Sequence, residues 1–148
     1  MPKKLLSAEK ITVYCDGGAR NNPGPAAIGV VIDDKKNKRE YGEYLGQATN
    51  NQAEYRAIIF ALKKIKQLVG KKKSRDLKIE IKSDSELMVN QLNGLFKIKD
   101  SDLQPLFFEI WNLKQDFAEA KFVQIPREEN KEADLLVNRE LDNQAGLF

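Results

Sequence analysis

Two rhythms of apolar residues run along this chain. In its first third they gather in short β-rich runs, ITVYC at 11–15 and the almost wholly apolar AAIGVVID at 26–33, with REYGEYLG at 39–46 following the polar turn Asp34-Lys35-Lys36-Asn37-Lys38. Runs this closely spaced predict an antiparallel meander. The period then lengthens: within 51–70 the apolar residues at 58, 61, 62, 65, 68 and 69 form the stripe of an amphipathic helix closed by Gly70. Beyond it LKIEIKS (77–83) alternates as a strand, while SELMVNQLNG (85–94) and SDLQPLFFEIWNLKQDFAEA (101–120) are predicted as helices. Ser101 is the expected N-cap of the second of these, with Pro105 in its first turn. KFVQIP (121–126) is a fifth strand and ENKEADLLVNRELD (129–142) a last helix. The order β-β-β-α-β-α-α-β-α joins a meander to two crossover units, and crossovers connect parallel strands in a right-handed sense. The fold class is α/β, a mixed sheet with an antiparallel edge.

At 148 residues, 41% hydrophobic and 32% charged, the chain suffices for one domain with a real core, and no apolar run approaches the roughly 18 residues of a membrane span. The division expected is an N-terminal tail at 1–9, a domain at 10–142 and a C-terminal tail at 143–148. The start MPKKLLSAEK lacks a signal-peptide core, so a cytoplasmic location is expected. Cys15 is the lone cysteine and histidine is absent, which excludes an internal disulfide, a Ser-His-Asp triad, a Cys-His pair and a His-containing zinc site. Catalysis must then rest on carboxylates, lysines or hydroxyls. The net charge of +3 hides an asymmetry: residues 54–82 carry ten basic against three acidic side chains, and residues 83–148 seven against thirteen. The basic segment, with Lys63, Lys64, Lys66, Lys71, Lys72, Lys73 and Arg75, suits a polyanion such as nucleic acid, although it would equally serve as a solvated surface.

Four acids stand where neutral residues would be expected. Glu54 continues the stripe of the 51–70 helix, so a carboxylate sits at the inner edge of an apolar face. Asp16 ends the first strand ahead of Gly17-Gly18, and Asp84 ends the fourth ahead of Ser85. If those strands are parallel neighbours, both acids emerge at the carboxyl edge of the sheet, where open α/β sheets build their sites. Asp134 lies at helical spacing with Val137 and Leu141. Each has an ordinary reading of its own, in a helix dipole, a turn or a cap. Together they would repel unless cations separated them, and an oxygen-only donor set suits Mg²⁺ or Mn²⁺ over zinc or copper.

Four motifs then fall in order. Tyr14-Cys15-Asp16-Gly17-Gly18, followed by Asn21-Asn22-Pro23-Gly24 and Ala27-Ile28-Gly29, resembles the opening of type 1 ribonuclease H, as do Thr49-Asn50-Asn51-Gln52-Ala53-Glu54, Lys82-Ser83-Asp84-Ser85, and Arg127-Glu128-Glu129-Asn130-Lys131-Glu132-Ala133-Asp134. The resemblance implies a ribonuclease H-like fold with strand order 3-2-1-4-5, and a metal-binding catalytic quartet of Asp16, Glu54, Asp84 and Asp134. It also implies an endoribonuclease that hydrolyses the RNA strand of RNA/DNA hybrids with two Mg²⁺ ions, or Mn²⁺ in their place, leaving 5′-phosphate and 3′-hydroxyl ends. Gly17, Gly18, Asn22, Thr49, Asn50 and Asn51 would contact substrate, Thr49 at a phosphate of the DNA strand, with Asn50 also a possible cap of the 51–70 helix.

Two departures from the pattern matter. Arg127 occupies the loop where many relatives carry histidine; it can hold a phosphate but cannot shuttle protons near neutral pH. The stretch 94–101 is too short for a basic protrusion, which resembles the compact subtype, extends the expected substrates to double-stranded RNA, and shifts affinity to Lys97, Lys99 and the basic segment. The chain ends Gln144-Ala145-Gly146-Leu147-Phe148, similar to the peptide that bacterial replication proteins insert into a sliding clamp, so Gln144, Leu147 and Phe148 are candidate clamp contacts. A monomer is expected. The rival readings are a non-catalytic hybrid- or RNA-binding module and another nuclease of the same superfamily.

Overall fold

This is a computed structural model, and it describes residues 9–146 of the chain. Five strands, β1 (Lys10–Ala19), β2 (Gly24–Asp33), β3 (Lys38–Ala48), β4 (Lys78–Ser83) and β5 (Glu119–Gln124), form one sheet in the order β3-β2-β1-β4-β5. The first three are antiparallel neighbours, while β4 runs parallel to both β1 and β5. The helices are α1 (Asn50–Val69), α2 (Lys71–Ser74), α3 (Glu86–Leu92), α4 (Gln104–Lys114) and α5 (Lys131–Ala145), the last preceded by a 3-10 turn at Arg127–Glu129.

Strand β2 shows why its sequence is almost continuously apolar: it is covered on both faces. Ile28, Val30 and Ile32 join the main core with Ile11, Val13, Ile79 and Ile81 under Ile58, Leu62 and Ile65 of α1, whereas Ala27 packs with Val137 and Leu141 of α5. Helix α5 lies so close to β2 that a Cβ at Gly29 would collide with the Ala133 carbonyl. On the other face, a Cβ at Gly17 would collide with the Ala53 backbone, so glycine there lets the first turn of α1 rest on β1. No helix among the described residues is long and apolar enough to cross a membrane.

Several expected boundaries are corrected. Strand β1 does not stop at Asp16 but stays paired to β2 as far as Ala19. Thr49, not Asn50, caps α1: its hydroxyl accepts from the Gln52 N–H while the Gln52 side chain accepts from the Thr49 N–H, a capping box. Ser101 caps nothing. The turn before α4 is held instead by Asp100, whose carboxylate accepts from the Asp102 N–H, and Leu103 takes the N-cap position. Helix α4 ends at Lys114, well before 120, because the Ala118 N–H already donates to the Leu77 carbonyl and the chain has entered the sheet. Helix α2 was not foreseen. Helix α5 continues through Asn143, Gln144 and Ala145, so these belong to the last helix and not to a tail, while Leu147 and Phe148 lie outside the described residues.

Candidate active site

The β1–β4 ladder runs as far as Tyr14 opposite Lys82, and Asp16 and Asp84 each stand two residues beyond that rung, side by side at the carboxyl edge of the sheet. The capping box at Thr49 starts α1 at the same edge, which delivers Glu54 from its second turn. One carboxylate oxygen from each of Asp16, Glu54 and Asp84 falls within 4.8 Å of the others, a grouping that could hold a metal ion. Asp134 is not part of that tight trio. It is exposed on α5 and comes within hydrogen-bonding reach of Asp16. With Gly17, Gly18, Arg20, Asp84, Arg127 and Asn138, Asp16 and Asp134 line a polar cleft of about 240 Å³.

Electrostatics mark the cluster as strained without cations. Burial, with the neighbouring Glu54 and Asp84 carboxylates, pushes Asp16 up to about 9. Glu54, 8% exposed, is pushed up to about 7 by burial, opposed chiefly by the Gly17 N–H that donates to its Oε1 at 2.7 Å. Both shifts favour the protonated carboxyl, the direction expected where buried like charges crowd together. The oxygen-only donors fit a hard divalent ion such as Mg²⁺ or Mn²⁺.

The expected substrate contacts cluster beside the acids. The Ala19 N–H donates to Asn50 Oδ1 at 2.8 Å and the Asn50 N–H to Asn22 Oδ1 at 2.9 Å, so both amide oxygens tie the β1–β2 loop to the start of α1 and their Nδ2 groups remain the donors available to a ligand. The Thr49 hydroxyl accepts from Gln52 and keeps its own O–H to give. Arg127 is exposed at the cleft. Asn51 lies instead in a second, more apolar groove of about 530 Å³, with Leu87, Gln91, Leu95, Phe96, Lys97 and Lys99 among its walls. The apolar part of this groove escaped the sequence reading, although Leu95 (71% exposed) and Phe96 (50%) in an otherwise polar loop were a signal. Lys97 and Lys99 are thus near the site. Lys71–Lys73 are not: the rise of α1 puts them about 25 Å from Glu54.

A family model described as reverse transcriptase-like matches residues 14–140. Ribonuclease HI of Halobacterium salinarum is 37% identical over 136 residues, covering 90% of this chain and 65% of that protein. The bifunctional protein Rv2228c of Mycobacterium tuberculosis is 35% identical over the same share of this chain but only 36% of its own length, so the chain spans from about a third to about two thirds of these relatives. Among solved structures, LC11-RNase H1 in complex with an RNA/DNA hybrid superposes with a TM-score of 0.86 at 45% identity, covering 92% of this chain and 99% of that one.

Proposed function

Because the chain belongs to the type 1 ribonuclease H family, we propose that it is an endoribonuclease that hydrolyses the RNA strand of RNA/DNA hybrids. The observation that carries this is the carboxylate trio Asp16, Glu54 and Asp84, three acids drawn together where their repulsion has no use except to hold cations. A module that only bound nucleic acid would gain nothing from such a cluster facing a polyanion. The domain so assigned runs from residue 10 to the end of α5 at 145, acting as a monomer.

In this reading Asp16, Glu54, Asp84 and Asp134 hold two Mg²⁺ ions, with Mn²⁺ as substitute. Bound there, the ions would activate a water and stabilise the leaving oxygen of the phosphodiester, giving 5′-phosphate and 3′-hydroxyl ends. The chain's own residues do the rest. The Gly17 N–H fixes the Glu54 carboxylate, and Gly17 and Gly18 let the backbone approach the RNA strand closely. Asn22 and Asn50 offer Nδ2 donors to 2′-hydroxyls, and Thr49 and Asn51 face the DNA strand beside the Lys97–Lys99 groove. Arg127 holds the scissile or product phosphate without moving protons. The lack of a protrusion leaves the grip on the DNA strand weak, which supports a further activity on double-stranded RNA.

An end-blocked hybrid, its RNA/RNA and DNA/DNA counterparts, and Mg²⁺, Mn²⁺ or EDTA in separate lanes test this. Internal cuts in the RNA strand of the hybrid with metal, and none with EDTA, are expected. Binding without cleavage would leave the non-catalytic module, and cleavage only of unblocked ends an exonuclease. Gln144, Leu147 and Phe148 are proposed to dock in a bacterial sliding clamp; removing residues 147–148 should abolish clamp binding in calorimetry and leave cleavage unchanged.

A further inference from the structure

Asn130 is an N-cap residue that does not cap. Asparagine is among the strongest capping residues, and Asn130 occupies the N-cap position of α5, yet its side chain makes no hydrogen bond to the helix it begins. The amide turns instead into the protein, where Asn130 is 1% exposed and its Oδ1 is buried without a partner. Its Nδ2 donates to the Cys15 carbonyl at 2.8 Å and to Asp84 Oδ2 at 3.4 Å. A residue that forgoes a cap and leaves a buried oxygen unpaired breaks two local rules at once, and such breaches mark functional positions.

The place of the breach says what it achieves. Strands β1 and β4 stop pairing after Tyr14 and Lys82, so no ladder bond fixes how far apart they carry Asp16 and Asp84. Asn130 spans that gap, from the carbonyl of the residue before Asp16 to the carboxylate of Asp84. Its own carbonyl accepts from the Asp134 N–H at 3.1 Å, so the same residue sets the turn of α5 that presents the fourth acid. Resting on the metal-dependent nuclease reading above, we propose that Asn130 is a positioning residue: it sets the separation of Asp16 and Asp84 and the approach of Asp134, and thereby the affinity of the site for its divalent ions. Substrate has no need to touch it, since it is buried.

Asn130→Ser tests this, because serine caps a helix as well as asparagine but cannot reach Cys15 and Asp84. Mn²⁺ and Mg²⁺ alone would be titrated into the substrate-free protein by calorimetry, and cleavage followed against Mg²⁺ and against hybrid concentration. About a tenfold weaker Mn²⁺ affinity is expected, with the same rise in the Mg²⁺ needed for half-maximal cleavage and a hybrid KM within about twofold of wild type. The melting temperature in EDTA should hold or rise. In an Asp84→Asn background the same serine should change metal affinity much less, since the residue acts through Asp84. Should the serine variant fail to unfold cooperatively, Asn130→Ala takes its place with the same metal readout. Wild-type metal affinity and Mg²⁺ midpoint in a folded variant overturn the proposal, even if the melting temperature falls. If the wild type itself neither binds Mn²⁺ nor cuts hybrid, the nuclease reading fails instead.

Discussion

Asp16 and Glu54 keep protons that ordinary carboxylates release, and stability should record it. Carboxyls that ionise near 3.8 and 4.5 when unfolded ionise near 9 and 7 in the fold, so between about pH 4 and pH 9 the folded metal-free protein binds more protons than the unfolded chain. Its stability must therefore fall as pH rises across that window. Melting temperatures in EDTA should drop from pH 5 to pH 8, and Mg²⁺ at pH 8 should restore them. Asp16→Asn, which removes one of the repelling charges, should flatten the profile; an unchanged slope in that variant would place the titrating groups elsewhere. Asp16→Asn, Glu54→Gln and Asp84→Asn should each lower cleavage about 100-fold or more while folding at least as well as wild type. Near-normal rates in any one would remove it from the metal site. Asp134→Asn should be milder, because Asp134 is exposed and outside the tight trio. Arg127→Ala should slow turnover more than it weakens hybrid binding, and equal losses in both would dismiss a role at the reacting phosphate.

At the scale of elements, the acids arrive together because three devices place them. Parallel pairing brings Asp16 beside Asp84, the capping box at Thr49 starts α1 over them, and glycines let the helices close on the sheet. Gly29→Ala tests how far packing and chemistry are coupled. The added methyl would strike the carbonyl of Ala133, next to Asp134, so forcing α5 off β2 should cost about 1–3 kcal/mol of stability by denaturant unfolding and should also lower kcat, by no more than Asp134→Asn does. A stability loss with unchanged kcat would mean that α5 keeps Asp134 in place while its packing yields elsewhere. The sequence was legible where one face of an element is uniform. The period of α1 and the apolar run of β2 could be read because burial dictates the residue types there, whereas the order of the five strands came from the resemblance to ribonuclease H. The sequence was misleading where a polar residue had two possible partners. Ser101 looked like a cap but Asp100 holds that turn, Asn50 looked like a cap but ties down the β1–β2 loop, and Asn130 sits at a cap while serving the site. The end of α4 was hidden for another reason: residues 115–118 are compatible with helix, and only the distant Leu77 carbonyl ends it.

At the scale of the molecule, the fold divides the basic residues that the sequence ran together. Lys97 and Lys99 share a groove with Asn51 beside the carboxylates, whereas Lys71, Lys72 and Lys73 stand at the other end of α1. Lys63 and Lys66, between them, are engaged with Glu109 and Asp116 of the α4 region at 2.8 and 2.6 Å. At physiological salt the Debye length is about 8 Å, so charges about 25 Å from the acids are screened from nucleic acid seated there. Each phosphate neutralised by direct contact contributes about 0.9 to the slope of log affinity against log salt. Changing Lys97 and Lys99 together to glutamine should therefore reduce that slope by nearly two for a short hybrid bound in Ca²⁺ or EDTA. Changing Lys71, Lys72 and Lys73 together should reduce it by less than one and alter affinity at 0.15 M salt by under about twofold. A reduction near three for the distant triplet would show that the duplex leaves the catalytic edge and follows α1 down the molecule, and the Asn51 groove would lose its assignment as the path of the DNA strand.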